Sequence, residues 1–275
     1  MLSTRLLRNA ARELWLAMGV PVALGLICLC LHSCSPSESA IRARRERIEA
    51  EITQLGSMHP WAGTYYRGDG LGCNNLLTIA PREGYQFTNH GCLGLYDADH
   101  GSATLSDGRL VLWASVLSSP LQRREFVVVD WGSRRYLLEP SQLLDFVNAV
   151  NQDTRESYRT GLLEDRSFYL RIADREKELE GKPALPPEYA RLLLADRIEG
   201  HVSAVKDQHV DLDLGLDRGV FEGMKLILLG EGDKGYGTVV VSEVAAHSSV
   251  GLVNYMDSFS PPVAVGWIAV SRLGD

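Results

Sequence analysis

His90, Cys92, Asp97, Asp99 and His100 form the densest group of metal-capable side chains in this sequence. Zinc takes imidazole and thiolate in a tetrahedral set with characteristic spacings, and His90-Gly91-Cys92 matches none of them. Asp97-Ala98-Asp99-His100-Gly101 lacks the ligand ladder and terminal glutamate of a calcium loop. Ordinary turn residues are the reading adopted for this stretch. Ser203-Ala204-Val205-Lys206 has the S-x-x-K spacing that lets a lysine activate a serine at a helix start, but it falls in a predicted strand. His247-Ser248-Ser249 offers a base and a nucleophile as sequence neighbours, which seldom reach the required geometry, and G-x-S-x-G is absent. Gly68-Asp69-Gly70-Leu71-Gly72 would need a buried strand before it and a helix after it to hold phosphate. Thr64-Tyr65-Tyr66-Arg67 is a poor buried strand, and a second strand follows, so a hairpin or bulge is expected. No catalytic residue, metal site or cofactor is assigned.

The cysteines carry the next chemistry. Of five, Cys28 and Cys30 lie in an apolar run, Cys34 ends it, and Cys73 and Cys92 belong to the body. In an oxidising compartment the last two are expected to form a disulfide. Closing that loop would contribute about 3 kcal/mol on the chain-entropy account.

The first 34 residues read as an address. Arg5, Arg8 and Arg12 precede an uncharged run from Leu14 to Leu31, the pattern of an export signal. The run is also long enough to cross a bilayer as a helix. Leu31-His32-Ser33-Cys34 resembles the lipobox of bacterial lipoproteins, with Leu31 and Ser33 matching the pattern and His32 departing from it. The resemblance implies a diacylated Cys34 as the new first residue, and Ser35 after it resembles the outer-membrane sorting pattern. The alternative is an uncleaved single-pass helix with its amino terminus in the cytoplasm. Both place the body outside the cytoplasm.

Composition agrees with a globular body. The chain is 45% hydrophobic and 23% charged, with net charge -7. The first 34 residues contribute +2 (Arg5, Arg8 and Arg12 against Glu13), leaving -9 for the rest. A body this acidic lacks the basic face that nucleic acid requires, and its membrane contact is assigned to the anchor.

The expected fold is mainly β with a few helices: an antiparallel meander or small barrel, a short helical connection, and a second small barrel. A helical stem occupies 35–57, with Ser35 as N-cap, Pro36 at the first position, and Ile41, Ile48, Ile52 and Leu55 on one stripe ending at Gly56. Its expected role is to pack on its own β domain, with Arg42, Arg44, Arg45 and Arg47 on a solvated face.

A β-meander domain covers 58–172. Its strands are expected at Ala62–Arg67, Asn75–Ala80, Tyr85–Asn89, Leu93–Tyr96, Ser102–Leu105, Arg109–Val116, Glu125–Asp130, Arg134–Leu138 and Ser167–Ile172. Asp107-Gly108 is the strongest hairpin signal. After Pro140, Leu143, Leu144, Phe146, Val147 and Val150 recur at helical spacing and predict a helix covering one face of the meander. The opening Trp61-Ala62-Gly63-Thr64-Tyr65 faintly resembles the first strand of lipocalin-like barrels.

Residues 173–195 are read as a linker with a short helix, and 196–275 as a small β-barrel. In the barrel Val210, Leu212 and Leu214 alternate with Asp211 and Asp213. Leu214-Gly215-Leu216-Asp217-Arg218-Gly219-Val220-Phe221-Glu222-Gly223-Met224 resembles a small barrel of envelope assembly proteins, shared by flagellar assembly protein T and rod-shape-determining protein C. The resemblance implies an interaction or scaffold module.

Three functional expectations follow. The first is a membrane-anchored, non-enzymatic periplasmic protein that meets the bilayer through its anchor and an envelope protein through its body. The second is a carrier of a small apolar ligand in the first β unit. The third is a hydrolase using Ser203, His247 or Ser248.

Overall fold

The structure, a computed structural model, describes residues 37–68, 70, 72–115, 123–152, 167–230, 235–255 and 262–273. The export signal, Cys34, Ser35 and Pro36 lie outside the described residues. Among the described residues no helix is long and apolar enough to cross a membrane. The chain divides into two compact units, Met1–Arg44 and Arg45–Asp275.

Helix α1 runs from Glu38 to Leu55. Ser37 Oγ accepts the Ala40 amide at 3.3 Å and so serves as the cap. The expected start at Ser35 is therefore shifted by two residues. Gly56, at φ +74°, ends the helix in the left-handed region, where a side chain would be strained.

In the second unit, α1 packs on the β domain as expected. Ile48 is fully buried, and Arg45 Nη2 donates to Thr88 Oγ1 at 3.1 Å. Glu51, also buried, accepts the Arg82 and Glu83 amides at 3.0 and 2.8 Å. Burial pushes its pKa up, but those hydrogen bonds outweigh it and hold the carboxyl below its ordinary value.

Eight antiparallel strands then close a barrel in simple sequence order, β1 pairing back to β8. They are β1 (Gly63–Gly68), β2 (Asn74–Ala80), β3 (Gly84–Gly91), β4 (Gly94–Ser106), β5 (Arg109–Ala114), β6 (Arg123–Trp131), β7 (Arg134–Leu138) and β8 (Tyr169–Arg171). Of the two forms expected for this unit, open sheet or barrel, the structure takes the barrel.

Period-2 alternation decides what fills it. Tyr65, Leu77, Phe87, Leu110, Phe126, Leu137 and Tyr169 pack into one buried interior cluster. Val129, Trp131, Tyr136 and Leu138 form a separate cluster with Leu143 and Phe146 of helix α2 (Leu143–Asn151), which covers that side as predicted.

One expectation fails here. Leu93–Tyr96 and Ser102–Leu105 are two ends of a single 13-residue strand, β4. Asp97, Asp99, His100 and Gly101 are thus strand residues, not turn residues. Two contacts explain it. Asp99 is buried and accepts the Tyr85 hydroxyl at 2.8 Å, which satisfies a carboxylate within the sheet. At Gly101 a Cβ would collide with the Trp113 carbonyl, so the position needs glycine for close backbone approach rather than for a turn. The Asp107-Gly108 hairpin forms as read, with φ +52° and +74° at its two central residues.

The connection from 173 to 195 is strapped down. Arg134 Nε donates to Lys177 O at 2.6 Å, Trp131 Nε1 to Gly181 O at 3.0 Å, and Ala184 N to Asp130 O at 2.7 Å. A one-turn helix, α3 (Pro187–Ala190), follows.

Six strands form the second closed barrel, in the order β10-β13-β12-β11-β14-β9. They are β9 (Glu199–Lys206), β10 (His209–Leu212), β11 (Lys225–Leu229), β12 (Gly235–Val244), β13 (Ser249–Tyr255) and β14 (Ile268–Val270). The small barrel expected for this unit is present, and Val210 and Leu212 alternate on β10 as read. Val202, Val210, Leu212, Leu226, Leu228 and Val239 lie in its buried core, which is almost wholly aliphatic.

Helix α2 joins the two barrels. Its Phe146 faces the first. Asn148 Nδ2 donates to Gly223 O at 3.0 Å, and Asn148 Oδ1 accepts from Lys225 N at 2.9 Å. Asn151 does the same to Leu192 O and Leu194 N, at 3.0 and 2.9 Å. Three residues apart, the two amides share one helix face and satisfy backbone groups as a neighbouring strand would.

Candidate functional site

The two ends of the first barrel differ. One is plugged. Arg171, which faces inward beside Tyr65, is buried and makes a bidentate pair with the fully buried Asp174, at 2.5 and 2.9 Å. Lys177 Nζ adds a third bond to Asp174 at 2.6 Å, and Arg171 Nη1 reaches Ser57 O at 3.2 Å. Burial pushes the Asp174 carboxyl up, but the Arg171 and Lys177 bonds outweigh it, so its pKa lies below the ordinary value. Arg135 completes this end, donating to His59 O at 2.7 Å and to Asp130 Oδ1 at 2.6 Å.

The other end is polar. It is formed where β1, β3, β5 and β7 finish and β2, β4, β6 and β8 begin. Arg67 follows Tyr65 on the inward face of β1 and pairs across to Asn75, which pairs in turn with Asn89. Arg124 lies opposite Leu112 and precedes inward-facing Phe126 on β6. Tyr169 stands opposite Leu137 at the start of β8. Glu139 directly follows β7. Strand ends at a mouth tolerate charge because the heads reach water while the stems cover the aromatic core.

Four side chains meet there. The Arg67 guanidinium lies over the Tyr169 ring, 4.6 Å from its centroid, and the Arg124 guanidinium is 5.2 Å from the Phe126 centroid. Arg124 pairs closely with Glu139, which also lies 3.9 Å from Arg67. Side-chain exposure is 22% for Arg67, 15% for Arg124 and 31% for Glu139, so the group is recessed yet reachable from solvent. Burial raises the Tyr169 phenol pKa against the opposing pull of Arg67 and Arg124. The phenol stays a neutral donor at physiological pH. Two guanidiniums and one phenol here are hydrogen-bond donors of the kind that suit oxygen anions, beside one carboxylate.

The residues singled out in the sequence are dispersed. Cys73, just before β2, and Cys92, just after β3, are both exposed near this mouth and are not joined by a disulfide. The pairing of Asn74 with His90 leaves the two cysteines offset by one residue. Cys73 Sγ lies 3.8 Å from Asn89 Oδ1 and 3.7 Å from Asn75 Nδ2. Asp97 and Asp99 pair with Asn89 and Phe87, whereas His90 pairs with Leu95. Among the described residues no three His, Cys, Asp or Glu side chains form a metal-holding group.

Ser203 lies on β9, as expected of the S-x-x-K match, and donates to Asp211 O at 3.2 Å. His247 is 84% exposed in the turn between β12 and β13 and pairs with Asp217 at 2.8 Å. That contact holds the Asp217 carboxyl below its ordinary pKa. Ser203 and Ser248 enter no hydrogen bond with His247 among those described. The Gly68–Gly72 segment joins two antiparallel strands, as read, with Asp69 and Leu71 outside the described residues.

A concave feature lies on the six-stranded barrel. A groove of about 560 Å³ runs between Arg191–Ile198 and Leu216–Phe221. Leu216, 61% exposed, stands on its rim. This is part of the segment that carries the small-barrel resemblance.

Sequence reasoning missed the mouth because Arg67, Arg124, Glu139 and Tyr169 are scattered over a hundred positions. The signal was nevertheless present: Arg67 and Arg124 share the parity of Tyr65 and Phe126, which makes them charges on core-facing positions. No protein-family model matches this chain, and no curated protein matches it in sequence.

Proposed function

We propose that this is a membrane-anchored protein of the bacterial envelope, a non-enzymatic interaction or scaffold module facing the periplasm. A lipidated Cys34 holds it, with outer-membrane sorting favoured over an uncleaved single-pass helix. The observation that carries the reading is the construction of the body. Two closed barrels are tied through one helix, whose Asn148 bonds to the second barrel and whose Asn151 bonds to the connection leading into it, an arrangement that presents fixed surfaces. The groove beside Leu216 is the surface assigned to an envelope protein partner. Cys73 and Cys92, at one end of the β2–β3 pair, are proposed to join as a disulfide after export.

The carrier reading is weaker, since large side chains occupy the interior of the first barrel: Tyr65, Phe126, Leu137 and Tyr169 are each fully buried. The hydrolase reading has less support still, with Ser203 bonded across β9–β10 and His247 solvent-exposed.

The test is a photo-crosslinking amino acid placed at Leu216 in intact cells, with Leu105 on the first barrel as the control position. A discrete adduct with one envelope protein at 216, absent at 105, is expected. Equal, diffuse labelling at both positions would remove the docking role.

A further inference from the structure

The mouth of the first barrel contains an unmet hydrogen-bond donor. The Tyr169 hydroxyl is buried and finds no acceptor among the described residues, Arg124 being able only to donate toward its oxygen, although the ring is fully inside the barrel. Burying a hydroxyl without an acceptor is unfavourable, and such groups in folded proteins call for an explanation. Two guanidiniums border it. Arg67 lies 4.6 Å and Arg124 6.0 Å from the Tyr169 ring centroid.

The charge balance there is also incomplete. Glu139 pairs closely with Arg124 but stands 3.9 Å from Arg67, beyond a hydrogen bond. Among the described residues one carboxylate thus faces two guanidiniums, and the Arg67 fork makes no hydrogen bond to it.

We propose that the polar end of the first barrel binds a small oxyanion, a carboxylate or phosphate group, held by Arg67, Arg124 and the Tyr169 hydroxyl. The guanidinium fork matches both anions in shape and presents paired N–H donors. The phenol supplies a neutral third donor, and the recessed setting strengthens every charged contact relative to bulk water. With the interior already filled by aromatic and aliphatic side chains, the ligand's anionic head occupies the mouth and the remainder extends outward. This site is on the first barrel and is independent of the anchor and of the Leu216 groove.

The experiment is calorimetric titration of the full chain with sodium acetate and, separately, sodium phosphate, at constant ionic strength set with sodium chloride. Saturable one-to-one binding of at least one anion is expected, and the anion that binds identifies the source. Tyr169→Phe should weaken that binding about tenfold, the scale of one charge-assisted hydrogen bond. The same variant should melt close to the parent, since it deletes a donor that has no acceptor among the described residues. Arg67→Gln should weaken binding by tenfold or more, and Tyr169→Phe keeps the proposal testable if Arg67→Gln fails to fold. Heats that match chloride alone would overturn the proposal. Binding unchanged in Tyr169→Phe would overturn it equally.

Discussion

The two barrels solve the same closure problem with different interiors. Six strands enclose a narrow core that aliphatic side chains such as Val202, Leu212, Leu226 and Leu228 fill completely. Eight strands enclose a wider one, and there the sequence uses aromatic rings for the middle and charged groups for both ends. At one end Arg171 and Asp174 satisfy each other and seal the barrel. At the other, among the described residues, Arg67 and Arg124 face the single carboxylate of Glu139 and the Tyr169 hydroxyl finds no acceptor. The narrow barrel is thus held by apolar packing alone, whereas the wide one also carries buried and half-buried charge at its ends.

The largest expected effect tests the sealed end. Asp174→Ala leaves the Arg171 guanidinium buried without its carboxylate and should cost about 3–5 kcal/mol in chemical denaturation. The same pair makes a pH prediction. The folded Asp174 pKa is depressed, so its stabilisation is complete above about pH 4 and is lost as pH falls through the folded value. An acid titration of stability should show that loss in the parent and not in Asp174→Ala.

Next in size is a truncation in the narrow barrel. Leu228 is fully buried among aliphatic neighbours, and Leu228→Ala should cost about 3 kcal/mol by opening a cavity. Its cost should not vary with pH between about 3 and 8, because no ionised group is disturbed. A pH-dependent loss there would blur the contrast between the barrels.

A third variant separates them. Asn148→Ala removes both bonds to Gly223 and Lys225 and strands one buried amide and one carbonyl, for about 1–3 kcal/mol. Calorimetry should then resolve two transitions where the parent shows one. The smallest effect belongs to the half-exposed Asp145–Lys225 pair at 2.7 Å. Asp145→Ala should change stability by less than about 0.5 kcal/mol and leave the single transition intact.

Much of this architecture was legible. Alternation in Val210, Leu212 and Leu214, the Asp107-Gly108 turn and the Leu143–Val150 stripe each report a local period, and local periods are what a sequence displays. What escaped were features set by non-local neighbours. Asp99 and Gly101 look like turn residues until Tyr85 and Trp113 lie beside them across the sheet. Asn148 and Asn151 look like the polar side of a surface helix, yet both are buried, since the second barrel brings its backbone to Asn148 and the connection before it brings Leu192 and Leu194 to Asn151. The mouth cluster depends on closure of β8 onto β1, a pairing between positions more than a hundred residues apart.

The central claim, that Met1–Cys34 delivers the body across a membrane and leaves it lipid-held, is tested most directly by intact mass spectrometry of the protein from membrane fractions, with and without globomycin. The account predicts a chain beginning at Cys34, heavier by its acyl groups, with Cys73 and Cys92 inaccessible to thiol reagents until reduced. A full-length, unacylated chain in the cytosol, with both of those thiols reactive, would contradict it.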